Sequence, residues 1–419
     1  MKKILALLLA FTMVLPLAAC GDGGGGGGSS SGDIEVTIFN TKSEINSAME
    51  QMAKEYSASH DGVTVEVYMS NDTVIAHMGN KYASGDPYTI AMVDTKDVYS
   101  LGAEHAYDLT GQPYIANANG CVEIDGKIAS VPFCVEARGL MYNASAIEAI
   151  TGKEFKPADY ATLDAFQGLL EELKAGGMDA PVGIMKEDWS LAAHYLAQFI
   201  EERDDVDGFV SDLKAGKVDL NSDAKFNSLM DTFDTLMQYN YAAGSPVAAE
   251  REVSEQKLAE GEIAFMFGGN WDWAQMAAFD VSEKVGMMPL PLNGNDGANT
   301  KLVGGPSKML FVEASSDISD EQRQAALDFL TWLFSDGSKW LTEDFALVPA
   351  ITTIATNALD PLSTSVSEYS ASNSLIPSYN YMPDDHITLM GAEMQKYLAG
   401  QESRADLASA IEAYWAGQS

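Results

Sequence analysis

The strongest constraint on the fold is an alternation of strand-like and helical stretches early in the chain. Strands are predicted at 34–40, 63–69 and 88–93, with helices over 44–58 and around 73–83 between them. In such an alternation the strands pair in parallel and the helices cover the faces of the sheet. The crossovers are right-handed. We therefore predict an α/β fold.

Polar side chains follow two of these strands at the point where each strand ends. Asn40, Thr41 and Lys42 come after the first strand, and Asp94 comes after the third. Ligands on parallel sheets bind beyond the carboxyl ends of the strands. The sequence thus predicts that these four side chains lie at a ligand-bearing edge.

Two later predicted strands each end shortly before a tryptophan. The strand at 180–185 precedes Trp189, and the strand at 261–267 precedes Trp271. An indole stacks on the apolar C–H face of a sugar ring, while carboxylates and amides bind its hydroxyl edge. Both tryptophans stand where an α/β sheet holds ligands, although Trp189 also fits a packing role.

The stretch Asn270-Trp271-Asp272-Trp273 combines indoles with polar side chains in four residues. If it begins a helix, its two indoles point to different sides. We assign Trp271, with Asn270 and Asp272, to a ligand cleft and Trp273 to packing. The other tryptophans lie on helical patterns and are predicted to be core residues: Trp332, Trp340 and Trp415.

Two charged residues and two tyrosines complete the candidate site. Glu136 and Arg138 interrupt an apolar run and share one face if that run is a strand. Buried charges need partners, so these two either pair with each other or meet a polar ligand. Tyr379 and Tyr381 lie in a predicted loop between helices.

Several function classes lack the residues they need. Motifs of serine hydrolases, zinc peptidases and nucleotide-binding loops are absent, as is metal-ligand spacing, so no enzyme activity, metal or cofactor is predicted. The formal net charge of −36 disfavours a nucleic-acid partner, but it leaves a cationic ligand open. A disulfide between Cys121 and Cys134 is possible but is not implied by the sequence.

The first residues have the anatomy of an exported protein. Residues 1–19 carry a basic head and an apolar run too short to span a bilayer, as in a secretory signal. Leu17–Cys20 resembles the bacterial lipobox, which implies cleavage before Cys20 and lipid on its thiol; an ordinary signal with an incidental cysteine is the alternative. The glycine- and serine-rich segment 21–32 is predicted to be a flexible tether.

Three segments in order resemble the extracellular solute-binding proteins of carbohydrate ABC importers, of which maltodextrin-binding proteins are familiar members. These segments are VPFCVEARGLMYN, GEIAFMFGGNWDWAQM and LDFLTWLFSDGSKW…ALVPA. The resemblance implies two α/β lobes joined by crossing segments, with a sugar in the cleft between them. It also implies a monomer that hands its ligand to membrane permease subunits.

The resemblance also implies roles for individual residues. Glu136 falls on an acidic position that contacts sugar, and Trp271 falls on a stacking tryptophan. Trp189 lies near a second-lobe stacking aromatic. Further contacts are implied at Asn40, Thr41, Lys42 and Asp94 in first-lobe loops and at Tyr379 and Tyr381 near another stacking position. Asp272 and Arg138 stand where maltodextrin binders carry uncharged residues, which leaves the identity of the sugar open.

Together these features predict a lipid-anchored binding protein on the outer side of the cell membrane. The predicted fold is a two-lobe periplasmic-binding-protein fold, each lobe a sheet flanked by helices. The predicted first lobe is 33–141 plus 302–349, the second is 142–301 plus 350–419, and hinge crossings fall near Ala137, Leu302 and Ala350. The alternatives are a binding protein for polyamines or other cationic solutes, and a surface glycosidase lipoprotein.

Overall fold

Two β-sheets organise the chain in the computed structural model, which describes residues 34–418 except 184, 185, 283, 295, 296, 357 and 358. The predicted signal, Cys20 and the tether lie outside the described residues. The strands are β1 (Ile34–Asn40), β2 (Val63–Tyr68), β3 (Ile90–Asp94), β4 (Val122–Ile124), β5 (Lys127–Pro132), β6 (Cys134–Asn143), β7 (Phe265–Gly269), β8 (Val285–Met288), β9 (Leu302–Pro306), β10 (Lys308–Val312), β11 (Val348–Pro349) and β12 (Leu375–Ile376).

Helices cover both sheets, and none in the described part of the chain is long and apolar enough to cross a membrane. The α-helices are α1 (Asn46–Ser59), α2 (Val74–Ala83), α3 (Thr95–His105), α4 (Ala144–Thr151), α5 (Leu163–Ala175), α6 (Gln198–Glu201), α7 (Val206–Lys214), α8 (Ala224–Gln238), α9 (Arg251–Ala259), α10 (Trp273–Met276), α11 (Asp320–Leu333), α12 (Pro361–Ala371), α13 (His386–Leu398) and α14 (Arg404–Ala416). Two π-helical segments are Trp189–Leu196 and Trp340–Asp344. Short 3₁₀ turns occupy Ser43–Ile45, Ile115–Asn117, Pro157–Tyr160, Leu220–Ser222, Pro246–Ala248, Asn270–Asp272 and Ala298–Thr300.

The first sheet has the strand order β2-β1-β3-β10-β5-β4. The predicted parallel pairing is confirmed, because β1 runs parallel to both β2 and β3. Strand β10 returns from much later in the chain and pairs antiparallel with β3 and β5. Apolar residues of β1 point to both faces: Val36 and Ile38 pack under α1 and α11, whereas Phe39 packs under α2 and α3. This double cover is what a buried parallel sheet requires.

The second sheet is built around β6, which is paired along both edges. Strands β8 and β9 pair with one edge, and β7 and β11 pair with the other, all antiparallel. The predicted strand at 261–267 starts only at Phe265. Of the predicted strand 180–185, Ile184 and Met185 lie outside the described residues, and Val182 makes isolated bridges to Asn240 and Phe265.

The chain passes between the sheets at two single-residue connections, and again between α11, which packs on the first sheet, and β11, which pairs with β6 just before the predicted crossing at Ala350. Phe133 separates β5 from β6, and Ser307 separates β9 from β10. The predicted crossing positions Ala137 and Leu302 therefore lie inside strands of the second sheet. At this crossing a Cβ on Gly304 would lie 2.4 Å from the carbonyl oxygen of Glu136, so only glycine lets β9 approach β6 this closely.

The tryptophans assigned to packing are in the cores. Trp340 and Trp415 are buried, and Trp273 and Trp332 pack partly exposed against separate apolar clusters. Cys121 and Cys134 are free thiols.

Candidate functional site

The loop after β1 is shaped by its own polar side chains. Buried Asn40 accepts from the Lys42 amide at 2.7 Å and donates to the Lys42 carbonyl at 3.1 Å and to Asn46 at 3.0 Å. The Thr41 hydroxyl donates to the Met92 carbonyl of β3 at 2.9 Å. These bonds hold the loop so that Lys42 extends toward the second sheet.

Lys42 joins this loop to β6 through a buried ion pair. Its ammonium contacts Glu136 and Glu44, each at 2.5 Å. Burial would lower the pKa of Lys42, but the charges of Glu136 and Glu44 outweigh burial and raise it above its usual value. Burial would likewise raise the pKa of Glu136, but Lys42 lowers it below its usual value. Both partners are therefore charged at neutral pH.

A second ion pair lies at the same edge of the first sheet. Lys308, at the start of β10, donates to Asp94 at 2.6 Å. Burial opposes ionisation of Asp94, yet Lys308 and more distant lysines hold its pKa below its usual value. The Asp94 side chain is 47% exposed whereas that of Lys308 is 16% exposed. Asp94 is thus the more accessible charged group of the pair and can accept hydrogen bonds from a ligand.

Asn270 and Asp272 anchor the turn after β7 instead of pointing freely outward. The side-chain oxygen Oδ1 of Asn270 accepts from the Ala137 amide at 3.0 Å. Asp272 accepts from the Gly269 amide at 2.9 Å and is held by two nitrogens of Arg251. Both side chains are buried. Their polar atoms therefore fix the backbone on either side of Trp271, and the bond to Ala137 places this turn next to Glu136.

Trp271 is the half-buried member of this turn, and it lies over glycine. A Cβ on Gly269 would lie 2.3 Å from two carbons of the indole, so the ring uses the space that a larger residue would fill. The indole N–H finds no acceptor among the described residues. The ring is thus fixed by packing, while its polar atom is not committed to the protein.

Trp271 belongs to an aromatic cluster with Trp189 and His194. The ring centroids of Trp189 and Trp271 are 6.5 Å apart, and those of His194 and Trp271 are 4.9 Å apart. Burial, together with the charges of Arg138 and Arg251, lowers the pKa of His194 well below its usual value. The imidazole is therefore neutral and extends an uncharged aromatic surface.

Arg251 of α9 supports both indoles. Its guanidinium lies 4.9 Å from the Trp189 ring centroid while it binds Asp272 beside Trp271. Trp189 begins a π-helical segment whose first amide donates to Asp188 at 2.7 Å. Such segments are rare and occur frequently at functional sites.

Arg138 has partners other than those considered from the sequence. It pairs with buried Glu201 on α6, not with Glu136, and it donates to the His194 carbonyl at 3.0 Å and to Ser378 at 3.1 Å. Burial raises the pKa of Glu201 even though Arg138 opposes the shift. The predicted extended run is a strand, β6, but Glu136 and Arg138 have separate partners that come from other elements.

The two candidate tyrosines lie in the segment between β12 and α13. The Tyr379 amide donates to Glu201 at 2.9 Å. Tyr381 is 55% exposed, and its ring centroid lies 4.9 Å from that of Tyr99 on α3. The two tyrosine rings are 5.7 Å apart. This segment therefore joins the candidate site at its rim, not beside Trp271.

The acidic groups around Arg251 predict a pH dependence of stability. Burial and the charge of Asp272 raise the pKa of Glu255 to about 8, whereas an unfolded glutamate has a pKa of about 4.3. Between these values the folded protein binds the proton more tightly, so stability is lost as pH rises toward 8. We expect Glu255→Gln to be more stable than wild type at pH 8 by about 1 kcal/mol or more, and to lose this advantage at pH 5.

Urea unfolding at both pH values measures this difference. Glu260→Gln is the matched control, since it removes an exposed carboxylate directly after the same helix and should leave the pH slope nearly unchanged. A Glu255→Gln variant with the wild-type slope would show that Glu255 ionises normally.

Several residues of the candidate site escaped the sequence interpretation. They are Glu44, Tyr99, His194, Glu201, Arg251 and Lys308. Lys308 carried the clearest signal, because it is a lone charge directly before the apolar run of β10. Most of the others lie on helices or loops far in sequence from the residues they contact. Glu44 lies only two residues from Lys42, but no periodic pattern or motif marks it.

Comparisons with known proteins agree with this architecture. The chain is similar to the solute-binding protein RafE in complex with raffinose, with 16% identity and a TM-score of 0.75 over 91% of this chain and 99% of that one. It is similar to a chitin oligosaccharide binding protein, with 17% identity and a TM-score of 0.73 over 91% and 98%. It is also similar to a Bacillus licheniformis sugar transporter in complex with stachyose, with 17% identity and a TM-score of 0.69 over 91% of this chain and 99% of that one.

These likenesses show a two-lobe solute-binding-protein fold. No curated protein sequence matches the chain. The family model described as "Bacterial extracellular solute-binding protein" matches residues 51–369. Because this match covers most of the chain, the protein belongs to the bacterial extracellular solute-binding proteins.

Proposed function

We propose that the protein captures an oligosaccharide, or a sugar derivative, in the cleft between its two sheets and delivers it to an ABC importer. The observation that carries this proposal is the half-buried indole of Trp271, set between two anchoring polar residues at the same end of the second sheet as Glu136. An indole face beside carboxylates and amides is the combination that a sugar ring needs. The sugars bound in the similar structures are ligands of those proteins, and they are the first ligands to test with this one.

The charge pairing in the site favours an uncharged ligand over a polyamine. Glu136 is paired with Lys42, Asp94 with Lys308 and Asp272 with Arg251. A polyamine would have to displace these internal cations, whereas sugar hydroxyls can add hydrogen bonds to carboxylates that stay paired. We therefore rank a neutral oligosaccharide above a cationic solute.

Two lobes, each organised by one sheet, would close on the ligand. We propose the lobes predicted from the sequence, 33–141 plus 302–349 and 142–301 plus 350–419, except that crossings at Phe133 and Ser307 assign β6 and β9 to the second lobe. A ligand that contacts both lobes only in the closed form shifts the balance toward that form. No covalent step is part of this mechanism.

The anchor is a separate part of the proposal. We propose cleavage after residue 19, lipid on Cys20, and a tether over 21–32 that keeps the protein near permease subunits on the outer side of the membrane. Two or more acyl chains give stable attachment. Labelling of cells with palmitate should mark the wild-type protein and leave Cys20→Ser unmarked; equal labelling would remove Cys20 from this role.

A ligand panel tests the binding proposal directly. Thermal-shift and calorimetric titrations would compare raffinose, stachyose, chitin, xylan and maltodextrin oligosaccharides with spermidine. We expect one sugar class to bind with one-to-one stoichiometry, and a ligand at 100 times its Kd stabilises a protein by about 2.7 kcal/mol.

The same samples separate the alternatives. Chromatography after prolonged incubation should recover the sugar intact. Cleaved product would support a surface glycosidase instead, and stabilisation by spermidine without any sugar response would support a cationic-solute binder.

A further inference from the structure

The segment 377–385, here called the rim loop, is fixed at its root by a buried ion pair. Arg138 donates to the Ser378 hydroxyl at 3.1 Å, and the Tyr379 amide donates to Glu201 at 2.9 Å. Arg138 and Glu201 are themselves paired and buried on β6 and α6. The root of the rim loop is therefore held by the second sheet and its helices.

The tip of the rim loop contacts the other side of the cleft. Tyr381 packs against Tyr99, with ring centroids 4.9 Å apart, and Asp384 lies 3.8 Å from the Lys96 ammonium. Lys96 and Tyr99 are on α3, which begins directly after Asp94 and packs on the first sheet. The loop thus spans the two sheets beside the candidate site.

The Arg138–Glu201 ion pair at the root connects several segments of the chain. A buried pair is often no more stabilising than apolar residues of similar volume. Here the Arg138 guanidinium binds three separate segments, namely the His194 carbonyl, Glu201 and Ser378. One side chain therefore fixes the aromatic cluster and the rim loop relative to β6.

We propose that Arg138 and Glu201 are positioning residues that hold the rim loop across the cleft, where Tyr381 and Tyr99 close over the ligand and slow its release. The part that concerns ligand release rests on the proposed function. A closure contact of this kind acts after the ligand has entered, so its loss raises the dissociation rate more than it lowers the association rate.

The contact at the tip is tested in the full chain with the sugar that the ligand panel identifies. Tyr99→Ala, Tyr381→Ala and the double variant change exposed side chains, so all three should fold. We expect each single variant to release the sugar about fivefold faster, with association within twofold of wild type. Because the two rings act through one contact, the double variant should release no faster than either single variant.

The matched control is Leu389→Ala, which truncates an apolar side chain on α13 that is 46% exposed but does not contact Tyr99. Its dissociation rate should equal that of wild type. Unchanged release in both tyrosine variants, or rate increases that multiply in the double variant, would overturn the proposed closure.

The root is tested without any ligand by amide hydrogen exchange. Glu201→Ala removes the acceptor of the Tyr379 amide, whereas Glu201→Gln keeps a carbonyl oxygen there. We expect exchange in the rim loop to be at least tenfold faster in Glu201→Ala and to be partly restored in Glu201→Gln. The paired change Arg138→Met with Glu201→Leu removes both charges together, which keeps the test valid if the single variant does not fold.

The two proposals fail in different ways. If no sugar binds, the proposed function is wrong, while rim-loop exchange still reports on the positioning role. Exchange in Glu201→Ala and in the paired variant that equals wild type would overturn the positioning role even if sugar binding is intact.

Discussion

Trp271→Ala should weaken sugar binding at least tenfold while leaving the melting temperature of the unliganded protein nearly unchanged. Full burial of a large apolar side chain against a ligand contributes about 1.5–3 kcal/mol, and 1.4 kcal/mol is a factor of ten in Kd. The indole is only half-buried before ligand arrives, so its truncation costs little in the unliganded state. Calorimetric titration and thermal unfolding of the same preparation measure the two effects.

Trp273→Ala is the matched control two residues further along the same turn. Its indole packs against the apolar cluster that includes Met276 and Leu258, so we expect a lower melting temperature and an unchanged Kd. Equal sugar binding by Trp271→Ala and wild type would remove Trp271 from the site, as would a Trp273→Ala variant with the larger binding defect.

Lys42→Met should destabilise the unliganded protein by about 3 kcal/mol, because it leaves the Glu136 carboxylate buried without a counter-charge. The side chains of Lys42 and Glu136 are 2% and 10% exposed, so solvent cannot replace the lost partner. The free energy of unfolding from urea titration measures this loss. Acidification that protonates Glu136 should lessen the difference from wild type.

A double-mutant cycle shows whether Glu136 is the cause. Lys42→Met combined with Glu136→Gln removes both charges, and we expect it to recover most of the lost stability. Sugar binding should nevertheless stay weak in the double variant if the Glu136 carboxylate contacts hydroxyls. A double variant as unstable as Lys42→Met alone would mean that Lys42 acts through Glu44 or through packing.

The fold was predictable where local patterns decide it. The first three strands and the helices between them followed from periodicity, because a strand and helix alternation leaves few ways to bury its apolar faces. Strand β6 was also foreseen as an extended run. The central position of β6 in the second sheet could not be predicted, because the strands that pair with it lie as far along the chain as Pro306 and Pro349.

The candidate site was predictable to a smaller degree. Residues at strand ends were found because topology places them there: Lys42 and Asp94 are examples. Lys42 pairs with Glu136 and Asp94 pairs with Lys308. Because these partners lie on other elements, their spacing in the sequence could not reveal the pairs. The roles of Asn270 and Asp272 changed for the same reason. Each was expected to face a ligand, and each binds the protein through contacts that only the folded chain creates. Their contribution to binding, like that of Trp271, stays a prediction.

The π-helical start at Trp189 marks another limit of local patterns. The sequence indicated a loop after a strand, whereas packing on α13 and the cap at Asp188 produce a widened helical turn. Gly391 of α13 allows this packing, since a Cβ there would lie 2.5 Å from the Asp188 side chain. Packing contacts between distant segments produce no periodic pattern in a single sequence.

A crystal structure with the bound sugar tests the central claim most directly. We predict a pyranose ring whose C–H face lies on the Trp271 indole at a contact distance of about 4 Å, with hydroxyls bound by Glu136 beside the indole or by Asp94 from the facing side of the cleft. A sugar bound elsewhere on the protein, with Trp271 bare in the occupied complex, would contradict the account.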